Sequence, residues 1–216
     1  MKSKNNLEQF ILSKRKKRLQ EVLDKRTASL TLVVDSFHKE HNIDAVLRTC
    51  EAFGMQHVHV IPQSEKVKPF QDITQGADRW LTIHYYETAE KCVRLLKEEG
   101  FKILAGSFEE GSVPLRDCDF TGKIALVLGN EVDGASEAVI KMADGLFVIP
   151  LVGFSQSLNV SVAAGITIHH VRQWKENRKE KPEALPENEN RQLMERWIKK
   201  TVKHADRILD VLSEDE

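Results

Sequence analysis

The chain has 216 residues, 41% hydrophobic and 30% charged, which suggests one main domain with appendages, or two small domains, and enough chain to bury a core. Its 32 basic and 33 acidic residues nearly cancel, so net charge alone gives no pointer to nucleic acid. Three well-separated cysteines, Cys50, Cys92 and Cys118, without a CxxC pair, speak against a zinc site or a disulfide framework and fit reduced thiols in the cytoplasm.

Charge is unevenly spread. Residues 1–26 hold nine Lys or Arg against three acids. Leu7, Phe10, Ile11, Leu19, Val22 and Leu23 recur at roughly helical spacing, so residues 5–26 read as one basic amphipathic helix. Such an arm suits RNA phosphates; a solvated helix face would look the same from charge alone. Next come a strand at Leu30–Val34, a helix at His41–Gly54 stopped by its glycine, and a strand at Val58–Ile61. Residues 63–79 lack periodicity and read as a loop or short helix. Strand-like Trp80–Tyr85 leads to a helix over Thr88–Glu99, with Gly100 as its stop. Strands follow at Phe101–Ala105 and Ile124–Leu128, then a Gly129–Gly134 loop, a helix from Ser136 to Met142 and a strand at Leu146–Ile149. A long helix spans Leu158–Trp174. Residues 177–190, with Pro182 and Pro186, read as a linker, and Asn190–Leu212 as a final helix.

Strands alternating with helices predict an α/β fold around a mainly parallel sheet, with helices on both faces. Ligands of such sheets sit at the carboxyl ends of the strands, here the segments 35–42, 105–109, 129–134 and 150–159. No apolar run approaches a membrane span, and the N-terminal stretch is charged, without an apolar signal core. The domain division expected is 1–27 as a basic helical arm, 28–175 as the α/β domain, and 176–216 as linker and C-terminal helix.

Three segments carry chemistry. In Asn42–Thr49, Asn42 sits where a helix N-cap belongs and Arg48 lies about one and two-thirds turns on. The pair could border a site above the sheet, or be a cap and a surface arginine. In Leu128–Gly134 a buried strand runs into a turn bounded by two glycines, which lets backbone approach a ligand closely. Glu131 is the carboxylate best placed to meet a substrate there, although an ordinary turn would read the same way. The turn is not GxGxxG and carries no dinucleotide fingerprint. In Ile149–Gly165 a strand ends at Pro150, a short loop follows, and a helix begins with Ser157 as its plausible cap. Small residues in its first turns (Ser161, Ala163, Ala164, Gly165) would admit a ligand or another chain segment at close range.

In this order the segments HNIDAVLRTCEAFG, LGNEVDGASEA and IPLVGFSQSLNVSVAAG resemble the three motifs of the SpoU/TrmH branch of the SPOUT methyltransferases, over about residues 28–172. The resemblance implies a C-terminal trefoil knot, a homodimer, and S-adenosylmethionine-dependent methylation of an RNA ribose 2′-hydroxyl without a metal. Mapped by motif, cofactor contacts fall on Gly106, Gly129, Ile149 and Leu158, mostly through backbone. The catalytic arginine is Arg48, with Asn42, Glu131, Ser157 and Asn159 around the reacting ribose. Arg48 would act as base or as an electrostatic clamp on phosphate and developing alkoxide. Two positions depart from the pattern: Gly106 replaces a threonine, and Phe154-Ser155 a Met-Val pair. The flanking helices, SFHKEHN and DITQGADRW resemble most the tRNA-directed subfamily, implying tRNA as partner and the D-loop guanosine at position 18 as target. Ribosomal RNA or another tRNA position is the alternative; a non-catalytic RNA-binding relative is a further one.

Overall fold

The computed structural model describes residues 6–37, 40–62, 76, 79–130, 134–179 and 183–214. Residues 1–26 and 184–216 form one compact unit, and residues 27–183 form another.

The larger unit is built on seven parallel strands: β1 (Leu30–Asp35), β2 (His57–Ile61), β3 (Thr82–Tyr85), β4 (Lys102–Gly106), β5 (Val113–Pro114), β6 (Ile124–Leu128) and β7 (Gly145–Val148). They are ordered β3-β2-β1-β6-β4-β7-β5. Every residue of β1 and β6 is buried, as parallel strands covered on both faces should be. Alternation sorts their side chains. Leu30, Leu32, Val34, Leu126 and Leu128 join the core under α2 (Glu40–Ala52) and α5 (Val160–Asn177), which contribute Ile43, Val46, Leu47, Ala164, Ile168 and Val171. Val33, Ala125, Val127, Ile103 and Ala105 face α3 (Ala89–Glu98) and α4 (Glu137–Met142), which contribute Cys92, Val93, Leu96 and Val139. The period of two in the strands is thus the cause of the two helical layers.

Helix ends follow the sequence closely at α3. The Thr88 hydroxyl accepts from the Lys91 amide at 3.2 Å, and Gly100, at φ +83°, takes the left-handed position after the last turn. The strand β5 was not anticipated: two residues, one of them proline, leave no alternation to read. Of the unpatterned 63–79 segment, all but residues 76 and 79 lie outside the described residues.

In the smaller unit both expected single helices are broken. Residues 6–10 form a 3-10 turn and α1 begins afresh at Ser13–Leu23. The break falls at Leu12, whose backbone is extended at φ −65° and ψ 141° ahead of Ser13. An ion pair from Lys16 to Glu8 links the two pieces. The C-terminal helix is two helices, α6 (Glu187–Thr201) and α7 (Ala205–Glu214). The β-branched Val202 leaves the helix as extended backbone, and His204 turns the chain at φ +57°. Arg26 is buried, its guanidinium 5.4 Å from the Trp197 ring centre. No described helix is long and apolar enough to cross a membrane.

Candidate active site

The carboxyl ends of β4, β6 and β7 open into a cleft, at the place where parallel sheets hold their ligands. Its walls are Gly106, Ser107 and Phe108 at the end of β4, Leu128, Gly129, Asn130 and Gly134 at the end of β6 and its following turn, and Phe147, Val148 and Ile149 at the end of β7. Leu151, Ser157, Leu158, Val160 and Ala163 close it. All four residues expected to contact the donor, Gly106, Gly129, Ile149 and Leu158, line it, together with Ser157. Apolar side chains and bare glycine backbone dominate the lining. That surface suits a flat heteroaromatic ring held by backbone groups, and so fits S-adenosylmethionine.

Gly129 has a steric reason to be glycine. A Cβ there would lie 1.7 Å from the Gly134 carbonyl oxygen and 2.1 Å from the Ala135 nitrogen, far inside contact distance. The two limbs of the turn therefore touch at Gly129, and Gly134, at φ +75°, completes it with its amide donating to the Asn130 carbonyl at 3.2 Å. Gly106 is less constrained: a Cβ would meet Leu128 and Phe147 at 3.4 Å, ordinary van der Waals contact. The departure from threonine there leaves a close-fitting wall, not a void.

The remaining expected residues form a second group. Asn42 is not an N-cap. Helix α2 starts at Glu40, so Asn42 lies inside its first turn, where it is buried and accepts at Oδ1 from Asn159 Nδ2 at 3.2 Å. Ser157 is not the cap of α5 either. That position belongs to Asn159, whose Oδ1 accepts from the Ser161 amide at 2.9 Å. Ser157 is left to face the cleft. Arg48 is not among the cleft-lining residues. It lies further along α2, about half exposed, with Nε 3.4 Å from the Asp44 carboxylate one turn earlier. Glu131 lies outside the described residues. The two groups adjoin through the continuous run Ser157-Leu158-Asn159. Among the small residues of α5, Ala163 lines the cleft and Ala164 is fully buried. A Cβ on Gly165 would meet nothing, so close packing uses the alanines and not that glycine.

Several residues of the site escaped the sequence. Asp44 sits four residues before Arg48, a pairing legible from spacing alone. Phe108, largely exposed, stands at the cleft edge. Ser107 shapes that edge, its hydroxyl accepting from the Glu109 amide at 3.1 Å. Asp35, at the end of β1, is buried and accepts from the amide of Ser136, just past the turn after β6. Burial, with the Asp35 charge adding to it, pushes the nearby Cys92 thiol up to about 12, which keeps it protonated and unreactive.

A parallel α/β sheet with a glycine-walled cleft at its carboxyl ends defines a ligand-binding protein of the open-sheet class. Within that class, the SpoU rRNA Methylase family matches residues 29–169, and this chain belongs to that family. A tRNA (guanosine(18)-2′-O)-methyltransferase from Aquifex aeolicus is 37% identical over 193 residues, covering 88% of this chain and 92% of the relative. An enzyme of the same name from Thermus thermophilus is 34% identical, covering 86% and 96%. The crystal structure of the A. aeolicus TrmH/SpoU tRNA modifying enzyme superposes with a TM-score of 0.78 at 36% identity, covering 88% of this chain and 97% of that one.

Proposed function

We infer that the chain methylates the ribose 2′-hydroxyl of guanosine 18 in tRNA, with S-adenosylmethionine as donor. The observation that carries this is convergence: Gly106, Gly129, Ile149 and Leu158, drawn from three separate stretches of chain, wall a single cleft in a chain similar over most of its length to enzymes of that name.

The donor, when bound, supplies an electrophilic methyl group on a sulfonium. The backbone of Gly106, Gly129, Ile149 and Leu158 would hold it, and the apolar walls would keep water from competing for the methyl. A ribose hydroxyl is a weak nucleophile until its proton is withdrawn, and it must also be aimed, so positioning supplies much of the rate. Ser157 faces the cleft and is suited to orient the ribose. Asn159 and Asn42 tie the end of that loop to α2, the helix that carries Arg48. A guanidinium keeps its proton in proteins, so Arg48 serves as a clamp on the substrate phosphate and the developing alkoxide. The ribose proton then leaves to the phosphate oxygen that Arg48 holds. Glu131 is assigned to the nucleotide by motif.

Three further features belong to the same proposal. Lys14–Arg18 on α1 are all exposed and form a basic surface for tRNA phosphates. Val152 and Phe154 are fully exposed, and Val162 and Ile166, one turn apart on α5, are about half exposed; an apolar surface of this kind supports a homodimer. Ile149, Leu151, Ser157, Leu158, Val160 and Ala163 return to line the same cleft as Gly129 and Gly134, which supports a trefoil knot of the family's kind. The protein would act where tRNA is, in the cytoplasm. Purified protein with labelled S-adenosylmethionine and a tRNA transcript should place one methyl on the ribose of nucleotide 18. The homodimer should appear as twice the chain mass in sedimentation equilibrium.

A further inference from the structure

Asp35 lies at the carboxyl end of β1 and outside the lining of the cleft. It is 1% exposed. Its Oδ2 accepts from the Ser136 amide at 2.7 Å, across a hundred residues of chain, and its Oδ1 accepts from the Ser36 hydroxyl at 3.1 Å. Ser36 is held in turn in a left-handed conformation, φ +58°, with its amide donating to the Ile61 carbonyl at 2.9 Å. Burying a carboxylate is costly unless hydrogen bonds satisfy it, and among the described residues its donors are an amide and a hydroxyl. A core position at a strand end would be filled more cheaply by an apolar side chain, so the carboxylate needs a positional reason.

Ser136 supplies one. It is the N-cap of α4, at φ −61° and ψ 153°, and its own side chain caps nothing. Two residues before it, the Gly134–Ala135 peptide lies directly on Gly129. Gly129, Asn130 and Gly134 form one wall of the cleft. The peptide pressed against Gly129 therefore has its downstream end fixed at Ser136 by the carboxylate of β1, the strand adjacent to β6.

Building on the methyltransferase assignment, we propose that Asp35 is a positioning residue for the donor site: by accepting from the Ser136 amide it locks the Gly134–Ser136 limb of the turn against Gly129 and so sets the wall that receives S-adenosylmethionine. It touches neither donor nor RNA. The requirement is for an acceptor at that point, so asparagine can replace it and alanine cannot. Proline at position 136 removes the amide donor while keeping the backbone there, because the φ of Ser136, −61°, already matches that of a proline ring.

The test compares wild type, Asp35→Asn, Asp35→Ala and Ser136→Pro by two readouts that need no turnover. Calorimetric titration with S-adenosylmethionine should show affinity weakened about tenfold in Asp35→Ala and Ser136→Pro, the loss of one charge-assisted hydrogen bond, and within about threefold of wild type in Asp35→Asn. Amide exchange in the ligand-free protein should show Ser136 protected in wild type and Asp35→Asn and unprotected in Asp35→Ala. The KM for tRNA should stay within about twofold throughout. Unchanged donor affinity in Asp35→Ala and Ser136→Pro would overturn the proposal, as would an Asp35→Asn protein as impaired as Asp35→Ala. Should Asp35→Ala not fold, Ser136→Pro and Asp35→Asn decide. A wild-type protein that binds the donor but leaves tRNA unmodified would count against the tRNA assignment and leave Asp35 to be judged on the affinities alone.

Discussion

Asn159 donates to Asn42 across 3.2 Å, joining the N-cap of α5 to the buried first turn of α2. One side chain serves two purposes, because the same Asn159 caps α5 through the Ser161 amide at 2.9 Å. The purposes can be separated. Asn159→Asp keeps an acceptor for Ser161 and loses the Nδ2 donor, so it should cost less than ~0.5 kcal/mol in helix capping yet lower kcat. Asn159→Ala loses both and should cost about 1 kcal/mol more in stability. Urea unfolding set beside turnover would reveal the split. Equal kcat in Asn159→Asp and wild type would mean the bridge to Asn42 has no part in the reaction.

Arg48 is about half exposed, while the Asp44 carboxylate it pairs with one turn earlier is largely shielded. Arg48→Ala should still bind the donor like wild type, while methyl transfer falls by at least ~10²-fold, as for loss of a charge-stabilising group. Arg48→Lys should rescue it only partly, because the planar fork is lost.

Gly129→Ala pushes a methyl group into the Gly134–Ala135 peptide. The turn must move, at a cost of about 1–3 kcal/mol, and donor affinity should fall with it. Gly106→Ala, by contrast, adds a methyl at ordinary contact distance and should be far milder. Reversal of that order in a binding titration would contradict the geometry of the turn.

Much of this was legible beforehand, and the reasons differ by element. The strands β1 and β6 are unbroken apolar runs, and the stops at Gly54 and Gly100 are local chemistry, so the layered parallel sheet could be read directly. The cleft could be read because its glycines and the Ile149–Gly165 stretch resemble family motifs. Capping was misread twice. Ser157 and Asn42 are both good cap residues, but tertiary pairing between Asn42 and Asn159 decided which residue caps and which is buried. The terminal helices were misread because helical spacing persists through Ile11–Leu12 and Val202–His204, where the backbone departs from the helix. Asp35 carried no local signal: its partner, Ser136, is a hundred residues away.

Away from the cleft, His59 on β2 is buried beside His84, its ring 4.8 Å from that of His84 and its Nδ1 2.9 Å from the Tyr86 hydroxyl. Burial, then the neighbouring His84 and His57, push its imidazole down to about 3. Below pH 6.5 the unfolded chain takes a proton that the fold refuses. Stability from this group is thus complete above about pH 6.5 and is lost as pH falls toward 3, at ~1.4 kcal/mol per pH unit. Melting temperatures between pH 7.5 and 5 should fall less steeply in His59→Gln than in wild type.

The basic surface of α1 has an ionic-strength signature. Replacing Lys14, Arg15 and Lys17 together by glutamine should weaken tRNA binding at low salt and flatten the plot of log K against log salt by up to ~2–3. An unchanged slope would remove α1 from the RNA-binding surface.

The most direct measurement is nucleotide mapping of the methylated product. Wild-type protein, labelled S-adenosylmethionine and an unmodified tRNA transcript should yield 2′-O-methylguanosine at position 18, and none when that position carries 2′-deoxyguanosine. Label at another tRNA position, or in ribosomal RNA with none in tRNA, would contradict the assignment.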